Sequence, residues 1–261
     1  MTNSAMDDLF ISWETSPYPS IKMTTFFPVY AQLFGHLRGK ACTFVETGIL
    51  DGGSLFMWKK WLGDQARVIG IDLNPQALKW KDFGFDIHIG DQGDPEFWRR
   101  ILPEIGHIDA FLDDGGHQSF QQIVTAQELI AHAQKPSVVA IEDTYTSLMK
   151  DFSSHGENSF LEYAKGVSDC VVGRSHGLYP DRFPPGINMD SIQQFKDVFG
   201  VNFYNGIVAF QIDPKACDKP QIIRNQNVRK AVDFRYHGKD SATVDWPSVK
   251  QKKTVTVEGG K

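Results

Sequence analysis

The chain has 261 residues, of which 41% are hydrophobic and 23% charged, and its formal net charge is −5. This composition fits a globular protein with one sizeable core, and the acidic balance argues against nucleic acid or an anionic membrane as a partner. No apolar stretch approaches the roughly 20 residues that cross a bilayer. Residues 1–14 lack the features of a signal peptide and the three cysteines lack metal-binding spacing, so we expect a cytoplasmic protein with reduced thiols.

The N-terminal part, residues 1–40, is expected to be a helical extension. Residues 1–19 are polar and contain Pro and Ser, which favours a loose lead-in. Apolar residues then recur at helical spacing and predict a helix over 20–37. Pro28 is expected to start or kink that helix, because its ring cannot be accommodated in a helix interior.

Short apolar runs alternate with amphipathic stretches from residue 41 onward. The predicted strands are 42–47, 67–73, 86–90, 107–114 and 137–143. The predicted helices between them are 53–63, 74–80, 94–102 and 119–133. This alternation predicts an α/β protein with a Rossmann-like, doubly wound, mostly parallel sheet that has helices on both faces.

The regular alternation stops over residues 144–206, which are rich in Gly, Ser, His and Pro. One helix is predicted within them, over 190–199. Long segments with little regular pattern are often functional, so we expect a substrate lid at about 144–205.

The C-terminal part returns to strand-like patterns before it becomes polar. Two late strands are predicted at 205–213 and 219–225. We therefore expect the main domain to extend from 41 to 230, and residues 231–261 to form a polar, mobile tail.

The turn after the first predicted strand contains the pattern ETGILDGGS over residues 46–54. Its glycines allow a sharp turn and a close approach of backbone to ligand. The spacing E-x-G-x-x-x-G-G differs from the G-x-G-x-x-G of dinucleotide dehydrogenases. Taken alone, the pattern is equally typical of any glycine-containing turn between a strand and a helix.

Polar residues also follow the next two predicted strands. Asp72 is placed to accept hydrogen bonds from ribose hydroxyls; the alternative is a helix N-cap, for which Asn74 is the better candidate. Asp91 and Gln92 are placed to reach an adenine amino group. The ordered set resembles the S-adenosylmethionine site of class I methyltransferases over residues 40–145. The cofactor-binding residues that this resemblance implies are Glu46, Gly48, Gly52, Ser54, Asp72, Asp91 and Gln92.

Two acidic pairs follow the fourth and fifth predicted strands, Asp113 and Asp114 after one, Glu142 and Asp143 after the other. Neighbouring strands would bring the four carboxylates together, which is costly unless a cation neutralises them. Oxygen ligands favour Mg²⁺, Ca²⁺ or Mn²⁺ over Zn²⁺ or copper. The alternative is that the first pair caps the following helix while the second meets solvent.

His117 lies three residues after Asp114 and is the best candidate for a general base, because an unperturbed imidazole exchanges protons near neutral pH. An ordinary loop histidine is the alternative. His155 and His176 are weaker candidates, since no predicted strand end anchors them.

The motifs ETGILDGGSL, IDAFLDDGGH and IEDTYTS, together with segment 20–34, resemble the metal-dependent sugar O-methyltransferases of macrolide tailoring, of the macrocin and mycinamicin type, and the cephalosporin-hydroxylase-like group. The resemblance implies that Asp114, Glu142 and Asp143 bind Mg²⁺ or another divalent cation such as Mn²⁺. It also implies that His117 removes the substrate proton and that Asp113 is structural or faces the cofactor.

The activity implied by this resemblance is transfer of a methyl group from S-adenosylmethionine to a hydroxyl of a sugar, a sugar-containing natural product or a polysaccharide. The partner is then a small-molecule or saccharide substrate, and the family's assemblies imply a homo-oligomer. A catechol or another vicinal diol is the alternative acceptor, because a metal chelates it equally well. The polar lid favours a sugar.

Three other classes compete with this interpretation. An iron and 2-oxoglutarate oxygenase, suggested by the hydroxylase label, needs two histidines and one carboxylate. A nicotinamide-dependent reductase needs G-x-G-x-x-G and a Tyr-x-x-x-Lys after the fifth strand, whereas this spacing occurs at Tyr18 and Lys22. A binding module without catalysis is disfavoured by the intact DDGGH and ED motifs.

Overall fold

A computed structural model describes residues 3–152, 159–178, 188–218 and residue 221. The strands of the described chain are β1 (Cys42–Thr47), β2 (Ala66–Asp72), β3 (Asp86–Ile89), β4 (Ala110–Asp113), β5 (Ser137–Ile141), β6 (Val198–Phe203) and β7 (Val208–Ile212). Its α-helices are α1 (Asn3–Glu14), α2 (Phe26–Phe34), α3 (Gly53–Leu62), α4 (Pro95–Ile105), α5 (Ser119–His132), α6 (Phe160–Gly173) and α7 (Met189–Gln194). Short 3-10 helices cover Gly35–Leu37, Pro75–Phe83, Thr144–Leu148 and Arg174–Leu178.

The strands form one sheet in the order β3-β2-β1-β4-β5-β7-β6. The first five strands in this order are parallel, and β7 runs antiparallel to both β5 and β6. The chain winds outward from β1 in one direction and from β4 in the other, so a crevice opens at the carboxyl ends of β1 and β4. The predicted Rossmann-like α/β fold is confirmed.

The register brings the chemically important strand ends side by side. Thr47 at the end of β1 pairs with Asp113 of β4, and Asp113 pairs with Ile141 of β5. The residues that follow these positions therefore leave the sheet at the same edge. This alignment is what allows the glycine-rich turn and the two acidic pairs to face one crevice.

The sheet is covered by an apolar layer on each face. One layer combines α2 and α3 with the sheet and includes Trp58, Phe34 and Phe44, which contact each other edge-on or tilted. The other layer combines α4, α5 and α6, and its buried members include Trp98 and Phe160. Two buried layers on a largely parallel sheet explain the near-continuous apolar strands in the sequence.

Helix α4 shows how the local sequence sets these elements. The Asp94 side chain accepts a hydrogen bond from the backbone N–H of Glu96 and so caps the helix, and Pro95 occupies its first position. Every third or fourth side chain then points to the sheet. The buried set is Phe97, Trp98, Ile101, Leu102 and Ile105.

The N-terminal residues differ from the expected loose lead-in, because residues 3–14 form α1. Leu9 on this helix is fully buried, and the Trp61 indole N–H donates to the carbonyl of Ala5 over 2.9 Å. The ring of Trp13 packs edge-on against Phe27 at 5.8 Å. These tertiary contacts order a segment whose polar composition gave little helical signal. The predicted helix over 20–37 is shorter, and Pro28 lies in the first turn of α2.

The region 144–206 contains more regular structure than predicted. Helix α6 lies on the sheet through Phe160 and Ala164. The helix predicted over 190–199 ends at Gln194, and Val198 begins β6, which pairs with β7. Pairing with a neighbouring strand here overrides local helix propensity.

Some expectations lie outside the described residues. They include the tail 231–261 and, apart from residue 221, the strand predicted at 219–225. Within the described chain, no helix has the length and apolar character that crossing a membrane requires.

The packing of α1 can be tested with a matched pair of substitutions. Leu9→Ala removes a fully buried side chain and is expected to cost about 2–4 kcal/mol of unfolding free energy. Ile11→Ala, on the same helix but 50% exposed, is expected to cost less than about 1 kcal/mol. Guanidinium unfolding of both variants provides the measurement. Equal effects would show that α1 is not part of the folded core.

Candidate active site

A cavity of about 480 Å³ opens at the carboxyl ends of β1 to β4. The turn after β1, the residues at the ends of β2 and β3, the turn after β4, Asp143 after β5 and the N-terminal residues 19–22 line it. A cavity of this size at this edge of a doubly wound sheet is a typical small-molecule site.

The predicted cofactor residues fall into two groups. Those that line the cavity are Gly48, Ser54, Asp72, Asp91 and Gln92. Those that are not among its lining residues are Glu46, Gly52 and Asp113, and the side chains of Glu46 and Asp113 are buried. The first group can contact a ligand directly, whereas the second acts on the shape of the site.

Asp72 holds the glycine-rich turn in place. One of its carboxylate oxygens, Oδ2, accepts hydrogen bonds from the backbone N–H groups of Ile49 and Leu50, each over 3.1 Å. Its other oxygen accepts from the backbone N–H of Asn74 over 2.8 Å. Leu50 needs such support, because its φ of 42° is left-handed and disfavoured for a residue with a side chain.

Gly48 is where the turns after β1 and β4 meet. Its φ is 83°, and a side chain there would collide with the backbone carbonyl of Asp114. The backbone N–H of Asp114 donates to the carbonyl of Thr47 over 2.9 Å, which fixes the same contact. The glycine-rich turn after β1 and the acidic turn after β4 are therefore one packed unit.

Gln92 and Asp113 form a buried pair that shapes the turn after β4. The Gln92 amide donates to both carboxylate oxygens of Asp113 over 2.9 Å, and its carbonyl accepts from the backbone N–H of Gly116 over 3.0 Å. Burial raises the pKa of Asp113 to about 6, although the hydrogen bonds from Gln92 and Gly115 oppose this. These contacts give Asp113 a structural place behind the cavity.

Lys22, which no sequence pattern assigned to this site, lies among the acidic groups. The ammonium of Lys22 is 2.6 Å from Asp114 Oδ2, 3.3 Å from Glu46 Oε1 and 3.3 Å from Glu142 Oε1. The side chain of Lys22 is 1% exposed. Burial alone would lower the pKa of Lys22, but the charges of Asp114 and Glu142 raise it well above its usual value. Lys22 is therefore a charged group in the interior.

Glu142 faces this lysine and a tyrosine. The hydroxyl of Tyr30 donates a short hydrogen bond to Glu142 Oε1, and both carboxylate oxygens of Glu142 lie within 3.4 Å of Lys22 Nζ. Burial raises the pKa of Glu142, and the charge of Lys22 opposes that rise. Tyr30 was expected only as an apolar helix residue, and a single polar atom on an aromatic ring gives no sequence signal.

Asp114, His117 and Asp143 converge beside the cavity and are each partly buried. One potential ligand atom from each lies within 4.8 Å of the others, and His117 Nε2 is 3.6 Å from Asp143 Oδ2. Burial raises the pKa of Asp143, and the charge of His117 opposes it. The predicted metal ligands Asp114 and Asp143 are thus brought together with His117, and Glu142 lies next to them across Lys22.

The donor set fits a hard divalent cation. The acidic cluster has four carboxylates, those of Glu46, Asp114, Glu142 and Asp143. Within the described chain they outnumber the single buried ammonium that lies among them, that of Lys22. Their mutual repulsion in a buried site is relieved by a further positive charge. Carboxylate oxygens are the ligands that Mg²⁺ and Mn²⁺ prefer.

His117 and Asp143 share an unusual backbone conformation, with φ values of 57° and 53°. Thr146 ties them together, because its hydroxyl lies 3.0 Å from the carbonyl of His117 and 2.8 Å from that of Asp143. Left-handed residues other than glycine persist only where surrounding contacts hold them, and they cluster at functional sites.

Of the two weaker histidine candidates, His176 lies in the 3-10 helix Arg174–Leu178, and His155 is outside the described residues.

Three buried polar atoms of cavity-lining residues have no hydrogen-bond partner within the described part of the chain. They are Ser20 Oγ, Thr47 Oγ1 and His117 Nδ1. Buried polar groups are nearly always paired, so three unpaired ones around one cavity favour a polar ligand there.

The chain is similar to several curated sugar-modifying enzymes, although no family model matches it. It is 28% identical over 165 residues to the 8-demethyl-8-alpha-L-rhamnosyl tetracenomycin-C 2'-O-methyltransferase of Streptomyces olivaceus. This match covers 60% of this chain and 43% of that protein. It is 23% identical over 194 residues to the mycinamicin VI 2''-O-methyltransferase of Micromonospora griseorubida, which covers 70% of this chain and 46% of that protein. The chain therefore spans less than half the length of these relatives.

The fold is similar to that of the MycE methyltransferase of mycinamycin biosynthesis, solved in complex with Mg and SAH. The TM-score is 0.67 at 21% sequence identity, and the match covers 80% of this chain and 53% of that chain. This likeness shows the class I methyltransferase fold. The motifs predicted a resemblance to sugar O-methyltransferases, and the similarity to these curated relatives confirms it.

The contact at Gly48 can be tested against a glycine with nearly the same backbone. Gly84 has a φ of 86°, and among the described residues no atom lies within 4 Å of a side chain added there. Gly84→Ala is therefore expected to cost about 1 kcal/mol for backbone strain alone. Gly48→Ala adds the collision with Asp114 and is expected to cost roughly 2–4 kcal/mol in urea unfolding. Equal losses would contradict the packing of the two turns.

Proposed function

We propose that this chain is an S-adenosylmethionine-dependent O-methyltransferase that uses Mg²⁺ or Mn²⁺ and methylates a hydroxyl of a sugar or a sugar-containing small molecule. The observation that carries the proposal is the convergence of Asp114, His117 and Asp143 beside a cavity lined by the predicted cofactor residues. The named activities of the curated relatives support the same reaction and acceptor class.

The cofactor would occupy the cavity with its nucleoside toward Asp72, the last residue of β2, and toward Asp91 and Gln92, which follow β3. The unpaired hydroxyl of Thr47 and the backbone at Gly48 lie at the β1 end, toward the acidic cluster. Binding across these positions would hold the methyl donor near His117. Much of the rate is expected from this positioning, because in-line attack needs close and aligned reactants.

Asp114 and Asp143 would hold the divalent cation, with Glu142 beside them. A bound cation there supplies positive charge that lowers the pKa of an acceptor hydroxyl. His117 would accept the hydroxyl proton, and the carboxylate of Asp143, 3.6 Å from its Nε2, stabilises the charge that the imidazole gains. Thr146 Oγ1, within hydrogen-bond distance of the backbone carbonyls of both residues, would help to hold them in place for this step.

The reaction is tested by incubating the protein with S-adenosylmethionine, Mg²⁺ and a panel of rhamnosides, other glycosides and catechols. We expect S-adenosylhomocysteine to form with a glycoside, and EDTA to abolish its formation until Mg²⁺ is restored. Turnover of a catechol alone would favour the vicinal-diol alternative. Turnover that is unaffected by EDTA would contradict the role of the metal.

Two substitutions separate the proposed roles. Asp143→Ala is expected to lose activity while it still binds S-adenosylhomocysteine, because its carboxylate would hold the cation rather than the cofactor. His117→Ala is expected to lose turnover by about 10²–10⁴-fold while it still binds Mn²⁺ through the carboxylates. Activity, calorimetry with S-adenosylhomocysteine and Mn²⁺ paramagnetic resonance provide the measurements.

The control is His107→Ala. His107 also pairs with an aspartate, Asp109, over 3.2 Å, but it precedes β4 at the opposite end of the sheet. It is expected to keep full activity. Full activity in both Asp143→Ala and His117→Ala would rule out this site assignment.

The cytoplasmic location and a homo-oligomeric state stay predictions from the sequence.

A further inference from the structure

The segment between α1 and α2 is fixed to the body of the protein at its beginning. The ring of Tyr18 packs edge-on against Trp80 at 4.6 Å and in a tilted contact with Phe56 at 5.1 Å. The carbonyl of Pro19 accepts a hydrogen bond from the backbone N–H of Gly53 over 3.2 Å. Gly53 has no room for a side chain, because one would collide with the carbonyls of Tyr18 and Pro19.

The end of the same segment is held by charge. Lys22 contacts Asp114, Glu142 and Glu46, which follow or belong to three different strands. Hydrogen bonds in which both partners are charged are about twice as strong as neutral ones, and burial protects them from solvent screening. Residues 18–22 are thus anchored by aromatic packing at one end and by a buried ion cluster at the other.

Residues 19–22 form a wall of the cavity between these anchors. The hydroxyl of Ser20 in this wall is buried and lacks a hydrogen-bond partner within the described residues. Ile21 lines the cavity although 83% of its surface is exposed.

We propose that Lys22 is a positioning residue that fastens residues 18–22 to the acidic cluster as a wall of the cofactor cavity, with the Ser20 hydroxyl facing the bound cofactor. This inference rests on the proposed function, because it takes the ligand of the cavity to be S-adenosylmethionine. It gives one side chain two opposite effects. Lys22 favours cofactor binding by holding the wall, and it disfavours a divalent cation because its positive charge lies against Asp114.

The experiment compares Lys22→Met with the wild-type protein. The dissociation constant for S-adenosylhomocysteine is measured by calorimetry in EDTA, and that for Mn²⁺ by paramagnetic resonance without cofactor. We expect the affinity for S-adenosylhomocysteine to fall about tenfold or more, because the wall loses one anchor. We expect the affinity for Mn²⁺ to stay equal or to rise, because a repulsive charge is removed. A merely structural role would weaken both.

Lys60→Met is the matched control. Lys60 is an exposed lysine on α3 that donates to the hydroxyl of Thr15, so it contacts the N-terminal residues away from the cavity. Both of its affinities are expected to match those of the wild type. If Lys22→Met does not fold, Lys22→Gln, which removes the charge and keeps a hydrogen-bond donor, is measured in the same way.

The outcomes separate this inference from the proposed function. If the wild-type protein binds S-adenosylhomocysteine and the Lys22 variant binds it with the same affinity, the inference is overturned and the proposed function is not. A parallel loss of affinity for both ligands also overturns it. A wild-type protein that binds no S-adenosylhomocysteine overturns the proposed function and this inference together.

Discussion

The burial of several like charges at the ends of β1, β4 and β5 is the constraint on which this site depends. Asp114, Glu142 and Glu46 would repel one another in the interior, yet they lie within 3.3 Å of a single ammonium, that of Lys22. A buried ion pair is favourable only where its groups are also hydrogen-bonded, and Tyr30 supplies such a bond to Glu142. One ammonium cannot pair with all of these carboxylates, and a cation beside Asp143 would relieve the repulsion that is left.

The parallel sheet explains why these charged residues lie at one edge. Because Thr47, Asp113 and Ile141 stand side by side in the register, whatever follows them must leave the sheet at one edge. The same register brings the glycine-rich turn against the acidic turn at Gly48. A change to the backbone of the glycine-rich turn therefore reaches the acidic turn directly.

The sequence predicted the parts of this arrangement that follow from local pattern. Alternating apolar runs predicted β1 to β5, and acids directly after them predicted a charged edge. Lys22 could not be predicted in this way, because it meets Asp114 and Glu142 from 92 and 120 residues away and has no periodic or paired signal. Strand β6 was missed for a related reason: its strand conformation depends on pairing with β7, and its own residues resemble the end of a helix.

The left-handed residues explain how two adjacent turns can present their side chains to one point. Asp114 and His117 follow β4, whereas Asp143 follows β5. If these strands continued, successive side chains would point to opposite faces of the sheet. At His117 and Asp143 a positive φ redirects the chain, and the imidazole then faces the carboxylate at 3.6 Å. Thr146 Oγ1 lies within hydrogen-bond distance of the carbonyls of both residues, so its one hydroxyl hydrogen is shared between them. Strain of this kind, held by a dedicated contact, is typical of a site whose geometry serves chemistry rather than stability.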